Sequence, residues 1–385
     1  MGAIGGLLDL RGCRTDSDTI WSMSRSMLSR AACGRGAYLA GGVSLFAQDV
    51  FESVGQGGGQ PAILTRDGHT YVAVLDGQVG VVGSGSRELY GVAAARLVLE
   101  RYISFGMDFL SSLEGAFALA IWDGYRGELL LARDPLGKKP LFYASEQGRF
   151  AFSSQIKALH RFLRGAPSVD ASRLRQYWFS PCDVCEGALL YRDIEALPAG
   201  YCGIFSGLGL TVYPYGARPS AESATASCRA LVGALVCPTE DRLRHCLAEA
   251  LFAFDYPRFD DLMPAFCELL DGCSCNGSVA VADPMLFRDI GYARERADRL
   301  GSLRGLWVEL VPPDNDGGRA REQRKMDRML RGMLEELSSP LLDRVFGSDW
   351  RQTVEEERTI SRRIRMRGIL YQTLLWEEQY AVMIE

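Results

Sequence analysis

The stretch Ala116–Trp122 constrains the fold of this chain more than any other. Phe117, Leu119 and Ile121 point to one side of an extended strand, and Ala118, Ala120 and Trp122 to the other. Neither side is polar, so the strand belongs in a sheet that is covered on both faces. Asp123-Gly-Tyr-Arg-Gly127 is turn chemistry, and Glu128–Ala132 returns as a second strand. Leu141–Ala144 and Phe150–Ser153 make a further hairpin around Glu146-Gln-Gly-Arg149. The spacing predicts a helix over Gln155–Leu163 and another beginning after Asp170, an N-cap residue. Val72–Leu75 and Gly203–Phe205 add strands.

Beyond about residue 225 the texture becomes helical and charged. Leu243, Leu247, Ala250, Leu251 and Phe254 recur at helical spacing, and Pro284–Leu300, Arg319–Leu337 and Thr353–Met383 read as helices, the last broken near Gly368. Tyr215–Ser227, rich in Ala, Ser and Pro, reads as a linker. A chain of 385 residues has room for two domains at roughly 150 residues each. The expected division is therefore 1–215, a linker at 216–227, and a mostly helical part at 228–385.

Composition removes several classes. Hydrophobic residues make up 47% and charged residues 24%, as in an ordinary globular chain. The longest apolar runs, such as Ala116–Trp122 and Ala230–Cys237, fall far short of the roughly eighteen residues that a membrane span needs. The first residues lack a basic segment, and Asp9 interrupts their apolar stretch, so no signal peptide is expected. The net charge of −5 carries no basic tail, and the charges on the C-terminal helices are balanced, so no nucleic-acid partner is expected. Eleven irregularly spaced cysteines suit a reducing cytoplasm better than a disulfide framework.

Three ordered blocks carry a family resemblance. They are Leu113-Glu-Gly-Ala-Phe-Ala-Leu-Ala-Ile-Trp-Asp123, Leu131-Ala-Arg-Asp-Pro-Leu-Gly-Lys-Lys-Pro-Leu-Phe-Tyr143 and Phe152-Ser-Ser-Gln-Ile-Lys-Ala-Leu159. Together they resemble the asparagine synthetases, in their N-terminal class II glutamine amidotransferase domain. Gly36–Val50, Gln60-Pro61 and Leu197-Pro-Ala-Gly200 extend the likeness to about residues 1–215. The resemblance implies an α+β fold, the N-terminal-nucleophile αββα sandwich, followed here by a shortened helical remnant of the synthetase domain.

The same resemblance implies a glutaminase site that this chain does not complete. The family's nucleophile is a cysteine exposed by removal of Met, whose thiolate attacks while the freed amine shuttles the proton. Gly2 stands there, and Cys13 is the nearest cysteine. The turn that reads R-G-P-D in the family is Arg30-Ala-Ala-Cys33, and the arginine that binds the glutamine carboxylate aligns with Asp49. The N-G pair of the oxyanion hole becomes Asp76-Gly77, a carboxylate that repels the oxyanion it should stabilise. The G-S-D-x-E segment aligns with Val92-Ala-Ala-Ala-Arg96, so Ala94 replaces the aspartate that holds the glutamine amine. The pyrophosphate loop S-G-G-x-D-S is absent after residue 215; Ser206-Gly-Leu-Gly209 and Asp316-Gly-Gly318 lack its Asp-Ser pair. No ATP or magnesium is therefore expected.

Two aligned carboxylates, Asp49 and Asp76, require either an internal cation or an open, cation-accepting cleft. Arg30, Arg35 and Arg96 are the expected internal cations. Lys138-Lys139 in the Gly-Lys-Lys-Pro turn reads as structural. Cys182/Cys185 and Cys273/Cys275 have a zinc-like composition but read more simply as unpaired loop thiols, and no metal is expected. His160 and His245 read as helix-surface residues and His69 as isolated. Met1-Gly2 lacks the Ser or Thr that N-myristoylation wants at position six, where Gly6 stands.

Three functions stay open at this point. The first is a non-hydrolytic scaffold with a protein partner or a second copy of itself. The second is an asparagine-synthase-type ligase using ammonia or an unknown acyl substrate. The third is a small-molecule or cation sensor built on the altered pocket.

Overall fold

A computed structural model describes residues 2–9, 17–28, 34–49, 59–83, 89–179, 190–216, 239–255, 257, 316–335, 340–380 and 383–384. The chain forms two compact units, Met1–Gly165 with Asp193–Ala224, and Ala166–Arg192 with Thr225–Glu385. The segment 166–192, counted with the N-terminal domain on sequence, thus packs with the C-terminal helices.

The strands are β1 (Ala3–Asp9), β2 (Gly34–Ala40), β3 (Val43–Asp49), β4 (Ala62–Arg66), β5 (His69–Val81), β6 (Leu89–Tyr90), β7 (Leu113–Asp123), β8 (Glu128–Arg133), β9 (Phe142–Glu146), β10 (Arg149–Ser153), β11 (Ser168–Val169), β12 (Glu195–Ala196), β13 (Tyr201–Ser206), β14 (Gly209–Pro214) and β15 (Met383–Ile384). The first unit also holds helices α1 (Ser17–Ser26), α2 (Gly91–Phe105) and α3 (Ile156–Phe162), with a 3₁₀ segment at Gly106–Ser112.

One sheet runs β12-β9-β10-β1-β3-β2, and the other β14-β13-β8-β7-β5-β4, with β6 on the end of β5. Strand β7 sits in the middle of the second sheet. Its Phe117, Leu119 and Ile121 join Leu99, Tyr102 and Phe109 beneath α2. Its Ala118 and Ala120 join Ile4, Leu45, Phe150 and Phe152 between the sheets. Helices α1 and α3 cover the outer face of the first sheet with Ile20, Met23, Ile156 and Leu159, all fully buried. The result is four layers, αββα, as the doubly apolar strand requires.

Turn residues close the hairpins. Gln147 and Gly148 have φ of 51° and 78° between β9 and β10, the left-handed region that glycine enters freely. Asp123 Oδ1 accepts the backbone N–H groups of Tyr125 and Arg126.

The second unit contains β11, β15 and helices α4 (Ala171–Phe179), α5 (Glu240–Phe254), α6 (Asp316–Glu335), α7 (Pro340–Phe346), α8 (Trp350–Glu356) and α9 (Ile360–Tyr380). Asp170 caps α4 by accepting from the N–H groups of Ser172 and Arg173. Leu243, Leu247 and Leu251 of α5 are fully buried. Asp327 of α6 pairs with Arg363 and Arg367 of α9. The C-terminal helix breaks at 357–359, not near Gly368, which lies inside α9 among buried neighbours. Packing on both sides outweighs the roughly 1 kcal/mol that glycine costs a helix. Pro284–Leu300 and most of the 216–227 linker lie outside the described residues. No helix among the described residues is long and apolar enough to cross a membrane.

Because Phe117 is wholly buried at the centre of the stack, Phe117→Ala should destabilise the protein by about 3–5 kcal/mol. Urea denaturation followed by tryptophan fluorescence measures this, and a loss under 1 kcal/mol would contradict the four-layer packing.

Candidate functional site

Strands β1, β3 and β5 bring three of the sequence-derived positions together. Gly2 precedes β1, Asp49 ends β3, and Asp76 lies within β5 on the face of Val72 and Val74, toward the other sheet. The Gly2 backbone N–H donates to Asp76 Oδ1 at 3.2 Å. A Cβ built on Gly2 would lie 3.5 Å from Asp49 Oδ1. It would also lie only 2.0 Å from the Gln48 carbonyl oxygen, so with this backbone no side chain of any kind fits at position 2.

The cation that meets Asp76 is Lys139. Its Nζ donates to Asp76 Oδ1 at 2.7 Å, and the two side chains are 4% and 0% exposed. None of the three arginines singled out on sequence does this among the described residues. Arg96 turns to the exposed face of α2 and pairs with Glu100 at 2.9 Å, Arg35 is exposed on β2, and Arg30 lies outside the described residues. Ala94 is fully buried beneath α2 in the cluster on the far face of the second sheet, away from Asp76. The helical period that turns Ala94 inward also turns Arg96 outward.

The turn that delivers Lys139 is rigid. Asp134 N–H donates to the Phe117 carbonyl at 2.9 Å, next to Ala118, the residue paired with Asp76 across β5 and β7. The Asp134 carboxylate accepts the N–H groups of Leu136, Lys138 and Lys139. Arg133, 3% exposed, donates to the carbonyls of Gly137, Lys139 and Leu197. The Arg-Asp-Pro-Leu-Gly-Lys-Lys block and the Leu-Pro-Ala-Gly block therefore hold one another. Gly77, with φ of 120°, leaves the passage open: a Cβ there would meet the Lys139 Cε at 3.1 Å and the Ala116 carbonyl at 2.0 Å.

Gln60 fixes the other side of the site. Its Nε2 donates to Asp49 Oδ1 at 2.9 Å and to the Leu75 carbonyl at 2.8 Å, and its Oε1 accepts Leu75 N–H at 2.7 Å. Its side-chain amide thus continues the β4–β5 ladder as a strand residue would. Burial pushes the Asp49 carboxyl above the ordinary carboxylate range. The Gln60 hydrogen bond offsets part of that rise, and the nearby charge of Asp76 adds to it.

Elsewhere, Ser206-Gly-Leu-Gly209 is the exposed β13–β14 turn, and Asp316-Gly-Gly318 opens α6. His69 meets Tyr125 edge-on at 4.9 Å. His160 is half-buried in α3 and burial holds it down at about 4, while His245 is exposed on α5. Cys182, Cys185, Cys273 and Cys275 lie outside the described residues, and among those described no three His, Cys, Asp or Glu side chains converge on a metal position. The residue that sequence reasoning missed is Lys139. Its only signal is the adjacent lysines of the Gly-Lys-Lys-Pro turn, and the three arginines meet the same charge requirement.

A family model described as a glutamine amidotransferase domain matches residues 1–216. The asparagine synthetase [glutamine-hydrolyzing] 3 of Bacillus subtilis is 30% identical over 167 residues, covering 42% of this chain and 27% of that protein. A putative glutamine-hydrolyzing asparagine synthetase of Mycobacterium tuberculosis is 35% identical over 105 residues, covering 27% of this chain and 16% of that protein. The chain thus spans about a quarter or less of these relatives' length. Among solved structures, the glutamine phosphoribosylpyrophosphate amidotransferase of B. subtilis superposes with a TM-score of 0.41 at 13% identity, over 80% of this chain and 65% of that one.

Two predictions follow from the ion pair and its neighbour. Lys139→Met leaves a buried carboxylate without its cation and should cost about 3–5 kcal/mol, most of it recovered in the double variant with Asp76→Asn. Equal stability of the single and double variants in denaturant titrations would contradict the pairing. Asp49 binds its proton more tightly folded than unfolded. Its stabilising contribution is therefore present below the ordinary value of 3.8 and lost as pH rises through the higher folded value. Asp49→Asn keeps an acceptor for Gln60, so it should melt above the wild type at pH 7 and match it near pH 3. A variant less stable at neutral pH would reverse the sign.

Proposed function

Because the chain belongs to the glutamine amidotransferase domain family, with asparagine synthetases among its sequence relatives, we propose that it keeps that domain's fold without its hydrolytic chemistry and works as a non-hydrolytic scaffold or interaction protein. One observation carries this reading: the Lys139 ammonium and the Asp76 carboxylate meet at 2.7 Å where the resemblance puts the oxyanion hole, beside a Gly2 that offers no nucleophile.

Each part of the reading rests on charge and space. A carboxylate at position 76 repels a developing oxyanion, and the lysine that neutralises it takes up room in the same place. The backbone around Gly2 tolerates no side chain, so a lost cysteine is accompanied by a surrounding that no longer holds one. The cation-sensor reading is weakened because the chain supplies its own cation at Asp76. The ligase reading lacks a pyrophosphate loop in the sequence, and we propose that neither ATP nor magnesium is a cofactor. The remaining role is contact with a protein partner or with a second copy, in the cytoplasm.

The test is a glutamate-release assay on the purified protein. We expect no release from glutamine above buffer, and no rise in melting temperature with Mg-ATP. A ligand at 100 times its dissociation constant would add about 2.7 kcal/mol, which a melting curve resolves. Glutamine turnover lost on mutating a single cysteine would overturn the proposal, as would a clear Mg-ATP shift.

A further inference from the structure

We infer that Lys139 and Asp76 form an intramolecular amide bond, an internal cross-link joining the 134–141 turn to strand β5. The inference rests on the reading of this pocket as filled from within, and adds that its contents react.

Four observations point to it. The Lys139 Nζ lies 2.7 Å from Asp76 Oδ1, and hence within about 4 Å of the carboxyl carbon, since a C–O bond adds only about 1.2 Å. The two groups are 4% and 0% exposed, so the water that would hydrolyse an amide is kept away. The turn is held by Arg133 and Asp134, so the amine does not have to be brought to the carboxyl. Groups fixed in this way react with effective molarities of about 10⁵–10⁸ M. Finally, the Gly2 N–H donates to Asp76 Oδ1 and fixes the carboxyl group in front of the amine. Asp49 adds a second carboxyl whose burial favours its protonated form beside Gly2.

The step is a condensation and requires no oxidant or reductant. A proton passes from the ammonium to the carboxylate, giving a neutral amine and a neutral acid. The nitrogen lone pair attacks Cγ, a Cγ–O bond breaks, and the departing oxygen takes up a second nitrogen proton to leave as water. Nζ–Cγ is the bond formed. Two buried charges, each costly to keep out of water, are replaced by one neutral amide.

The experiment is intact mass spectrometry of the purified full chain, followed by tryptic mapping. The expected mass is one water below the sequence mass, with peptide 67–87 joined to peptide 139–149. Lys139→Arg, which keeps the charge but not the amine, should show the full mass and no joined peptide. A wild-type chain with the full sequence mass after prolonged incubation at physiological temperature overturns the inference and leaves the filled-pocket reading intact. Asp76-Gly77 can also lose water by forming a succinimide. Hydroxylamine cleavage between residues 76 and 77 without joined peptides would likewise overturn the cross-link.

Discussion

Everything in the N-terminal unit depends on a strand that has no polar face. Strand β7 must be covered from both sides, and the chain meets that demand with α2 beneath it and a second sheet above. The space between the sheets is therefore dry, and any charge placed there needs a partner within the fold. Asp76 lies on that inner face, one residue before the Gly77 whose backbone departs from the regular strand. The Asp76–Lys139 pair is the consequence of putting a carboxylate where the architecture excludes water.

The pair also explains why distant blocks of sequence remain together. Lys139 reaches Asp76 only because Arg133 and Asp134 shape the turn, and Arg133 in turn holds the Leu197 carbonyl while Tyr215 donates to the Arg133 carbonyl. The structural reading of the Gly-Lys-Lys-Pro turn and its role in the pocket are the same set of contacts. The turn that Arg133 and Asp134 shape supplies, through Lys139, the counter-ion of Asp76.

Much of this was legible in the sequence where one physical signal dominated. The two-sided apolar run of β7, the turn chemistry after Asp123 and the cap at Asp170 each translate into local structure without reference to the rest of the chain. The closeness of Asp49 and Asp76 was legible only through the family resemblance. The identity of the cation was not legible, because three arginines satisfied the charge requirement equally well and only the packing distinguishes them. Arg96 belongs to a helix whose inward positions are Ala94, Ala95, Val98 and Leu99, so it has no route to the pocket. The transfer of 166–192 to the helical unit escaped for the same reason, because it is decided by contacts with residues far away in sequence.

Chemical labelling of lysine tests the central claim most directly, because the chain has only four lysines and two of them are adjacent. Lys138 is exposed and Lys139 is 3% exposed on the same turn, so each controls for the other. With an amine-acetylating reagent under native conditions, Lys138 should be modified rapidly and Lys139 should stay unmodified for as long as the protein is folded. Acetylation of Lys139 at a rate close to that of Lys138 would mean an open pocket with a free lysine, and would contradict the account.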